Sequence, residues 1–107
     1  MTAIGYDHWV INAEAPIALS VSRFENGNHM IAPLTPCHAA SGKGVDGGVA
    51  CRSCYEYVDD NFGDCWTVGE TRGWDVYFDL LLAQGISEDQ AARIVTLGFE
   101  RATYKLR

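Results

Sequence analysis

Residues 37–54 read CHAASGKGVDGGVACRSC, and this stretch decides the fold of the chain. It contains three of the four cysteines and a glycine-rich segment, residues 41–48 (SGKGVDGG). Glycine loses more conformational freedom on folding than any other residue, so this segment does not offset the entropy of its own ordering. Something on either side must therefore hold it, and the cysteines are placed to do so.

The four cysteines, Cys37, Cys51, Cys54 and Cys65, follow the spacing C-x13-C-x2-C-x10-C. A C-x2-C turn lets two thiolates converge on one ion while amides of the same turn donate hydrogen bonds to the sulfurs. A structural zinc ion takes four such ligands in a tetrahedron, and its binding contributes folding free energy. The spacing therefore predicts a zinc knuckle in a loop-rich region, residues 37–66.

Four other uses of these cysteines are open. Two disulfides require an oxidising compartment, and residues 1–12 carry no Lys, no Arg and no apolar run typical of a secretion signal. A redox dithiol normally begins a helix in a βαβ unit, which the sequence does not indicate. Unmetallated buried thiols and an iron–sulfur cluster complete the alternatives. We favour zinc over each of them.

The fourth ligand is the open question within the zinc hypothesis. Cys65 would complete an all-thiolate site that uses every cysteine of the chain. His29, eight residues before Cys37, could reach the same ion from a neighbouring strand. His38 is the third candidate and ranks below these two, because the side chains of adjacent residues diverge.

The N-terminal third predicts a β-hairpin. Residues 17–24 (IALSVSRF) alternate apolar and polar side chains with the period of a half-buried strand. Asn26-Gly27 suits the two positive-φ positions of a tight turn, so residues 29–32 are expected to return antiparallel. Residues 9–11 predict a third short strand.

The C-terminal part predicts two helices. Apolar residues three and four positions apart indicate a first helix over residues 74–84, and Gly85 stands where a left-handed residue would end it. Ser87 with Gln90 three residues later forms a capping box, so a second helix is expected to begin at Glu88. The two helices would form a hairpin.

These elements predict a small α+β fold, with an antiparallel sheet, a zinc knuckle and a C-terminal helical hairpin. At 107 residues the chain fits one zinc-stabilised domain, residues 1–107. Its three regions are a β-hairpin region, residues 1–36, a metal-binding loop region, residues 37–66, and the helical hairpin, residues 67–107.

The charge balance limits the partners of the chain. Eight Lys and Arg against fourteen Asp and Glu give a net charge of −6, which works against non-specific attraction to nucleic acid or to an anionic membrane. Apolar runs are far shorter than the roughly 20 residues that a bilayer span requires. We therefore expect no membrane association, and the lack of a secretion signal in residues 1–12 leads us to expect a location in the reducing cytoplasm.

Residues 29–55 also carry a family resemblance. Thr35-Pro36-Cys37-His38 and the later C-x2-C resemble the short His, Cys, C-x2-C zinc segment of small uncharacterised proteins of actinobacteria and their phages. This resemblance implies His29 as a ligand and a mobile-element origin. The chain departs from the segment by having a fourth cysteine. A more distant similarity, to WhiB-like iron–sulfur regulators, rests on the order Cys, C-x2-C, Cys followed by GISED at residues 85–89, without their Gly-Trp-Gly-Gly turn.

The first functional hypothesis is a zinc-stabilised interaction protein. Four protein ligands leave no coordination position for a substrate, and no separate nucleophile and base are indicated. Such a protein of a phage or mobile element could bind and modulate a host protein, as an inhibitor or a nucleic-acid mimic. The acidic residues that could face a basic partner are Asp59, Asp60, Asp64, Glu70, Asp75 and Asp79.

Two further hypotheses belong to other classes. A DNA-binding regulator could use the C-terminal part as a helix-turn-helix or use an iron–sulfur cluster, but the apolar stripe runs on as in one continuous helix. A metal-dependent enzyme would need an open position on the ion, and the zinc-deaminase pattern is not present. The candidate nucleic-acid-binding residues of the regulator are Arg101, Thr103, Lys105 and Arg107.

Overall fold

The structure, a computed structural model, describes residues 7–24 and 27–103. Within these ranges the chain forms two antiparallel sheets, a short 3-10 turn and two helices. In chain order the elements are β1 (Asp7–Ile11), β2 (Leu19–Arg23), β3 (His29–Pro33), β4 (Gly42–Val45), β5 (Gly48–Cys51), the 3-10 turn (Asp60–Gly63), β6 (Trp66–Thr67), α1 (Thr71–Ala83) and α2 (Glu88–Thr103).

The main sheet has the strand order β1-β2-β3-β6 and is antiparallel throughout. Its register places Trp9, Val21, Ile31 and Trp66 in one row across the sheet. Residues paired in this way share a face, and this face belongs to the hydrophobic core. The predicted hairpin of β2 and β3 is confirmed, while Asn26 of its turn lies outside the described residues.

The two predicted helices are confirmed, and they cover the core face of the sheet. Gly85, with φ 90°, follows the end of α1, and the hydroxyl of Ser87 accepts the amide of Gln90 at the start of α2. On α1, Trp74 and Tyr77 join the same core as the strands. The sheet and the helices together confirm the α+β class. Across the described ranges, neither helix has the length and apolar character needed to cross a bilayer.

A buried asparagine joins the sheet to both helices. Asn12 follows β1, is 2% exposed and has a left-handed backbone with φ 56°. Its Nδ2 donates to the Tyr77 hydroxyl of α1 at 3.1 Å and to the Ile94 carbonyl of α2 at 3.2 Å. Its Oδ1 accepts from Arg101 at 2.9 Å. One side chain thus connects three elements that are distant in sequence.

The glycine-rich segment forms a second, two-stranded sheet, where the sequence predicted a loop-rich region. Its strands β4 and β5 are joined by Asp46-Gly47, and Val45 pairs with Gly48 across the turn. Asp-Gly is a favoured sequence for two-residue hairpin turns, and Gly47 has the positive φ (88°) that such turns use. Val49 of β5 is buried in the core with Phe62 of the 3-10 turn, which fixes one face of the hairpin.

The close packing of this hairpin gives a prediction for Gly42. A Cβ at Gly42 would lie 2.5 Å from the Phe62 carbonyl oxygen and 2.6 Å from Val49 Cγ1. We therefore expect Gly42→Ala to lower the free energy of unfolding by about 1–3 kcal/mol, as overpacking does. Gly44→Ala is the matched control on the same strand, because a Cβ there meets no atom within 4 Å. Denaturant unfolding measures both, and equal losses would contradict the proposed contact.

Candidate metal centre

Three cysteines and one histidine come together beside the second sheet. The ligand atoms of Cys37, His38, Cys51 and Cys54 all lie within 4.8 Å of one another. Cys37 Sγ is 3.7 Å from Cys54 Sγ, and Cys51 Sγ is 3.9 Å from His38 Nδ1. The cluster is at the surface, since Cys37 and His38 are exposed while Cys51 is buried.

These distances fit four donors around one metal ion. Metal–sulfur bonds of about 2.3 Å place two tetrahedral sulfur ligands about 3.8 Å apart, and a nitrogen ligand at about 2.0 Å lies about 3.5 Å from a sulfur. The two sulfurs of Cys37 and Cys54 match the first spacing at 3.7 Å, Cys51 Sγ and His38 Nδ1 are somewhat farther apart than the second at 3.9 Å, and all donor pairs lie within 4.8 Å. A disulfide would need about 2.0 Å, and all four cysteines, each within the described ranges, are free. The donor set and its spacing therefore suit a tetrahedral ion.

The C-x2-C pair lies in a tight turn that follows β5. The Cys51 amide donates to the Glu56 carbonyl at 2.8 Å, and the Tyr55 amide donates to the Cys51 carbonyl at 2.7 Å. Tyr55 closes the turn with φ 62°. The amide of Ser53 also donates to Cys51 Sγ at 3.4 Å. This turn supplies both thiolates and an amide donor to one of them, as the C-x2-C spacing predicts.

The other two donors lie in a turn of the same form that follows β3. The Thr35 amide donates to the Ala40 carbonyl at 2.7 Å, and the Ala39 amide donates to the Thr35 carbonyl at 2.8 Å. We call this turn, after β3, the first turn and the C-x2-C turn, after β5, the second turn. Ala39 has φ 48° and occupies the position in the first turn that Tyr55 has in the second. Both turns thus have one hydrogen-bond pattern, sixteen residues apart. We call residues 35–58, with both turns and the hairpin between them, the metal lobe.

His38, the lowest-ranked candidate for the fourth ligand, is the residue that joins the three cysteines. The argument that adjacent side chains diverge holds best for a strand, where they point to opposite faces. Residues 36–38 form a turn instead, and in helix-like turns neighbouring side chains are only about 100° apart. Cys37 and His38 can therefore both reach one ion.

The two higher-ranked candidates lie outside the cluster. Cys65 is exposed and directly precedes β6. His29 is 5% exposed on the core face of β3, where its Nδ1 hydrogen bonds to the Gly27 carbonyl at 3.0 Å and its ring packs edge-on against Trp9. Its Nε2 is buried, with no hydrogen-bond partner among the described residues. Neither residue belongs to the cluster formed by Cys37, Cys51 and Cys54.

The surroundings of the sulfurs differ between the cluster and Cys65. The hydroxyl of Thr35, followed by amides of the turn, lowers the pKa of Cys51 to about 6 against the opposing effect of burial. For Cys54 the amide of Glu56 acts to lower the pKa, but burial and the neighbouring thiols raise it overall. Burial, with a smaller contribution from Asp64, raises the pKa of Cys65. The Thr35 hydroxyl and the turn amides therefore favour the thiolate of Cys51, whereas burial disfavours the thiolate of Cys65.

Paired serine substitutions separate the ligands from the remaining cysteine. We expect Cys54→Ser to lose most of the bound metal, because the tetrahedron then lacks one thiolate. Cys65→Ser should keep the full content, since Cys65 lies outside the cluster. Elemental analysis of the purified variants against protein concentration measures both. Loss of metal from Cys65→Ser alone would reassign the fourth ligand.

The candidate DNA-binding residues are in part engaged within the protein. Arg101 donates to Asn12 and to Glu14, and the hydroxyl of Thr103 donates to the Phe99 carbonyl. Lys105 and Arg107 lie outside the described residues. Because α2 is one helix from Glu88 to Thr103, residues 88–103 contain no second turn and recognition helix.

Comparison with other proteins adds no functional assignment. The chain matches no protein-family model, no curated protein and no solved structure. Its function is therefore argued from the metal lobe and from the surface around it.

Proposed function

We propose that this protein is a small acidic interaction module whose metal lobe is built on a structural zinc ion. The observation that carries the proposal is the set of four protein donors whose ligand atoms lie within 4.8 Å of one another, with two pairs at 3.7 Å and 3.9 Å. Zinc accepts three thiolates and one imidazole in this geometry, whereas hard cations such as magnesium prefer oxygen ligands. Four protein ligands leave no position for water or substrate, which favours a structural role over catalysis.

The position of the ion also suits a structural role. The first turn follows β3 of the main sheet, and the second follows β5 of the hairpin. An ion between them would tie the glycine-rich hairpin to the main sheet, in addition to the shared core in which Val49 is buried with Phe62 of the 3-10 turn. Zinc therefore supplies the ordering that the segment 41–48 does not supply for itself.

The outer face of the hairpin supports a role in binding a protein. Val45, Tyr55 and Tyr57 are exposed by 41%, 64% and 63%. The pairing of Lys43 and Tyr57 with Ala50 places their side chains on one face, and Lys43 Nζ lies 5.1 Å from the centre of the Tyr55 ring. Tyrosine is enriched in the energetic centres of protein interfaces. The net charge of −6 further favours a basic protein over nucleic acid.

The test begins with zinc and continues with the hairpin face. We expect one equivalent of zinc in the purified protein, by elemental analysis. With tagged protein as bait, the partner should be captured by the wild type and lost with Tyr55→Ser/Tyr57→Ser, while the zinc content of the variant stays at one equivalent. Val10→Ser is the control, because Val10 is also exposed (48%) but lies on β1 of the main sheet. Capture that is equal for all three baits would refute the role of this face.

A further inference from the structure

Thr35 lies inside the metal cluster although it is not one of its four donors. Its side chain is buried, at 1% exposure. Its Oγ1 lies 3.3 Å from Cys51 Sγ and 3.7 Å from Cys37 Sγ. These distances are close to those between ligands of one tetrahedral ion. The hydroxyl therefore lies within hydrogen-bond reach of two of the four donors.

The hydrogen bonds of Thr35 direct its hydroxyl proton. Oγ1 accepts the amide of Ala40 at 3.2 Å, while the Thr35 amide and carbonyl are both used within the turn. The hydroxyl proton is then available for a sulfur, and Cys51 Sγ is the nearer of the two. A hydroxyl that donates to a thiolate makes a charge-assisted hydrogen bond, which is stronger than a neutral one. This bond stabilises the deprotonated sulfur that a metal requires.

Comparison of the two equivalent turns shows that Thr35 stands at the position of a metal ligand. In the second turn the ligands occupy the first and fourth positions, Cys51 and Cys54. In the first turn the fourth position is His38, which is one of the four candidate metal ligands. The first position is Thr35, which is not. The missing thiolate comes instead from the third position, where Cys37 is exposed. The first turn thus keeps one ligand position and replaces the other with a hydroxyl.

We propose that Thr35 is a positioning residue of the metal centre, which stands at a ligand position of the first turn and holds the Cys51 thiolate toward the ion. Cys37 takes over ligation from the neighbouring position. This inference rests on the proposed zinc site and deepens it. It has two consequences: loss of the hydroxyl weakens metal binding, and a thiol at position 35 can substitute for Cys37.

The first consequence is tested with Thr35→Val and Thr35→Ser. Valine keeps the shape of threonine without the hydroxyl, and serine keeps the hydroxyl. Loss of an outer partner of a metal ligand typically costs about 10–100-fold in affinity, and we expect a loss of this size for Thr35→Val, with Thr35→Ser close to wild type. Competition with a chromophoric chelator measures the zinc affinity. Wild-type affinity in Thr35→Val would overturn the inference.

The second consequence is tested with cobalt(II) in place of zinc. The intensity of its sulfur-to-metal charge-transfer absorption rises with the number of bound thiolates. We expect Cys37→Ser to show a weaker band than wild type and Thr35→Cys/Cys37→Ser to regain the three-thiolate intensity. A double variant with the weak band of Cys37→Ser would overturn the equivalence of the two positions. The cobalt experiment does not use Thr35→Val, so it still tests the inference if that variant does not fold.

The two proposals fail in different ways. If wild-type protein binds neither zinc nor cobalt, the proposed zinc module and the role of Thr35 fail together. If wild type binds both, while Thr35→Val is unaffected and the double variant is not restored, only the role of Thr35 fails. Normal binding in Thr35→Ser with weakened binding in Thr35→Val supports the hydroxyl itself over a purely steric contribution.

Discussion

Removal of the metal with a strong chelator is expected to lower the melting temperature by roughly 15–30 °C. A ligand at a thousand times its dissociation constant stabilises the folded state by about 4 kcal/mol. Each kcal/mol shifts the melting temperature of a domain of this size class by about 4–8 °C. The effect should be greatest in the metal lobe, because its two-stranded sheet is too small to be stable alone. Amide exchange within residues 35–58 should therefore accelerate more than exchange in α1 and α2.

Zinc and two variants provide the controls for this experiment. Added zinc should restore the original melting temperature, and magnesium should not, because thiolates and imidazole are poor ligands for a hard cation. Cys65→Ser should respond to the chelator as the wild type does. Cys51→Ser should have the lowered melting temperature whether or not the chelator is present. Identical melting of the wild-type protein in the presence and absence of the chelator would contradict the metal centre.

Signals that act within a few residues predicted most of the fold. The capping hydrogen bond of Ser87 and the left-handed Gly85 depend only on adjacent backbone, so the boundary between the helices could be placed correctly from the sequence. Strand alternation likewise predicted β2 and β3. The hairpin of β4 and β5 was missed because its four glycines hide the strand pattern. Its packing depends on Val49 meeting Phe62, thirteen residues later.

The metal centre was predicted in part for the same reason. The C-x2-C spacing placed Cys51 and Cys54 together because both lie in one turn. The choice among the histidines and Cys65 depended on the backbone of the first turn, in which Ala39 takes a left-handed conformation that alanine rarely adopts. A hydrophobic pattern carries no sign of that turn. The Pro at position 36 is a local signal for it, since proline favours the second position of tight turns.

Asn12→Ala is expected to lower the free energy of unfolding by about 3 kcal/mol. Alanine removes hydrogen bonds to Tyr77, to the Ile94 carbonyl and to Arg101, and each buried group left without a partner costs about 1–3 kcal/mol. Tyr77 keeps its bond to the Ile17 carbonyl at 2.7 Å, and burial, which raises its pKa to about 12, leaves it neutral. Denaturant unfolding of the zinc-loaded protein measures the loss.

Asn12→Gly separates the hydrogen bonds from the backbone conformation. Glycine loses the same side-chain partners but adopts φ 56° without the steric cost of a Cβ, about 1 kcal/mol. We therefore expect Asn12→Gly to be less destabilising than Asn12→Ala by about that amount. If the glycine variant were as stable as wild type, the hydrogen bonds would contribute nothing and Asn12 would serve only its left-handed turn. Zinc content should stay at one equivalent in both variants, because Asn12 connects the main sheet to the helices and makes its contacts outside the metal lobe.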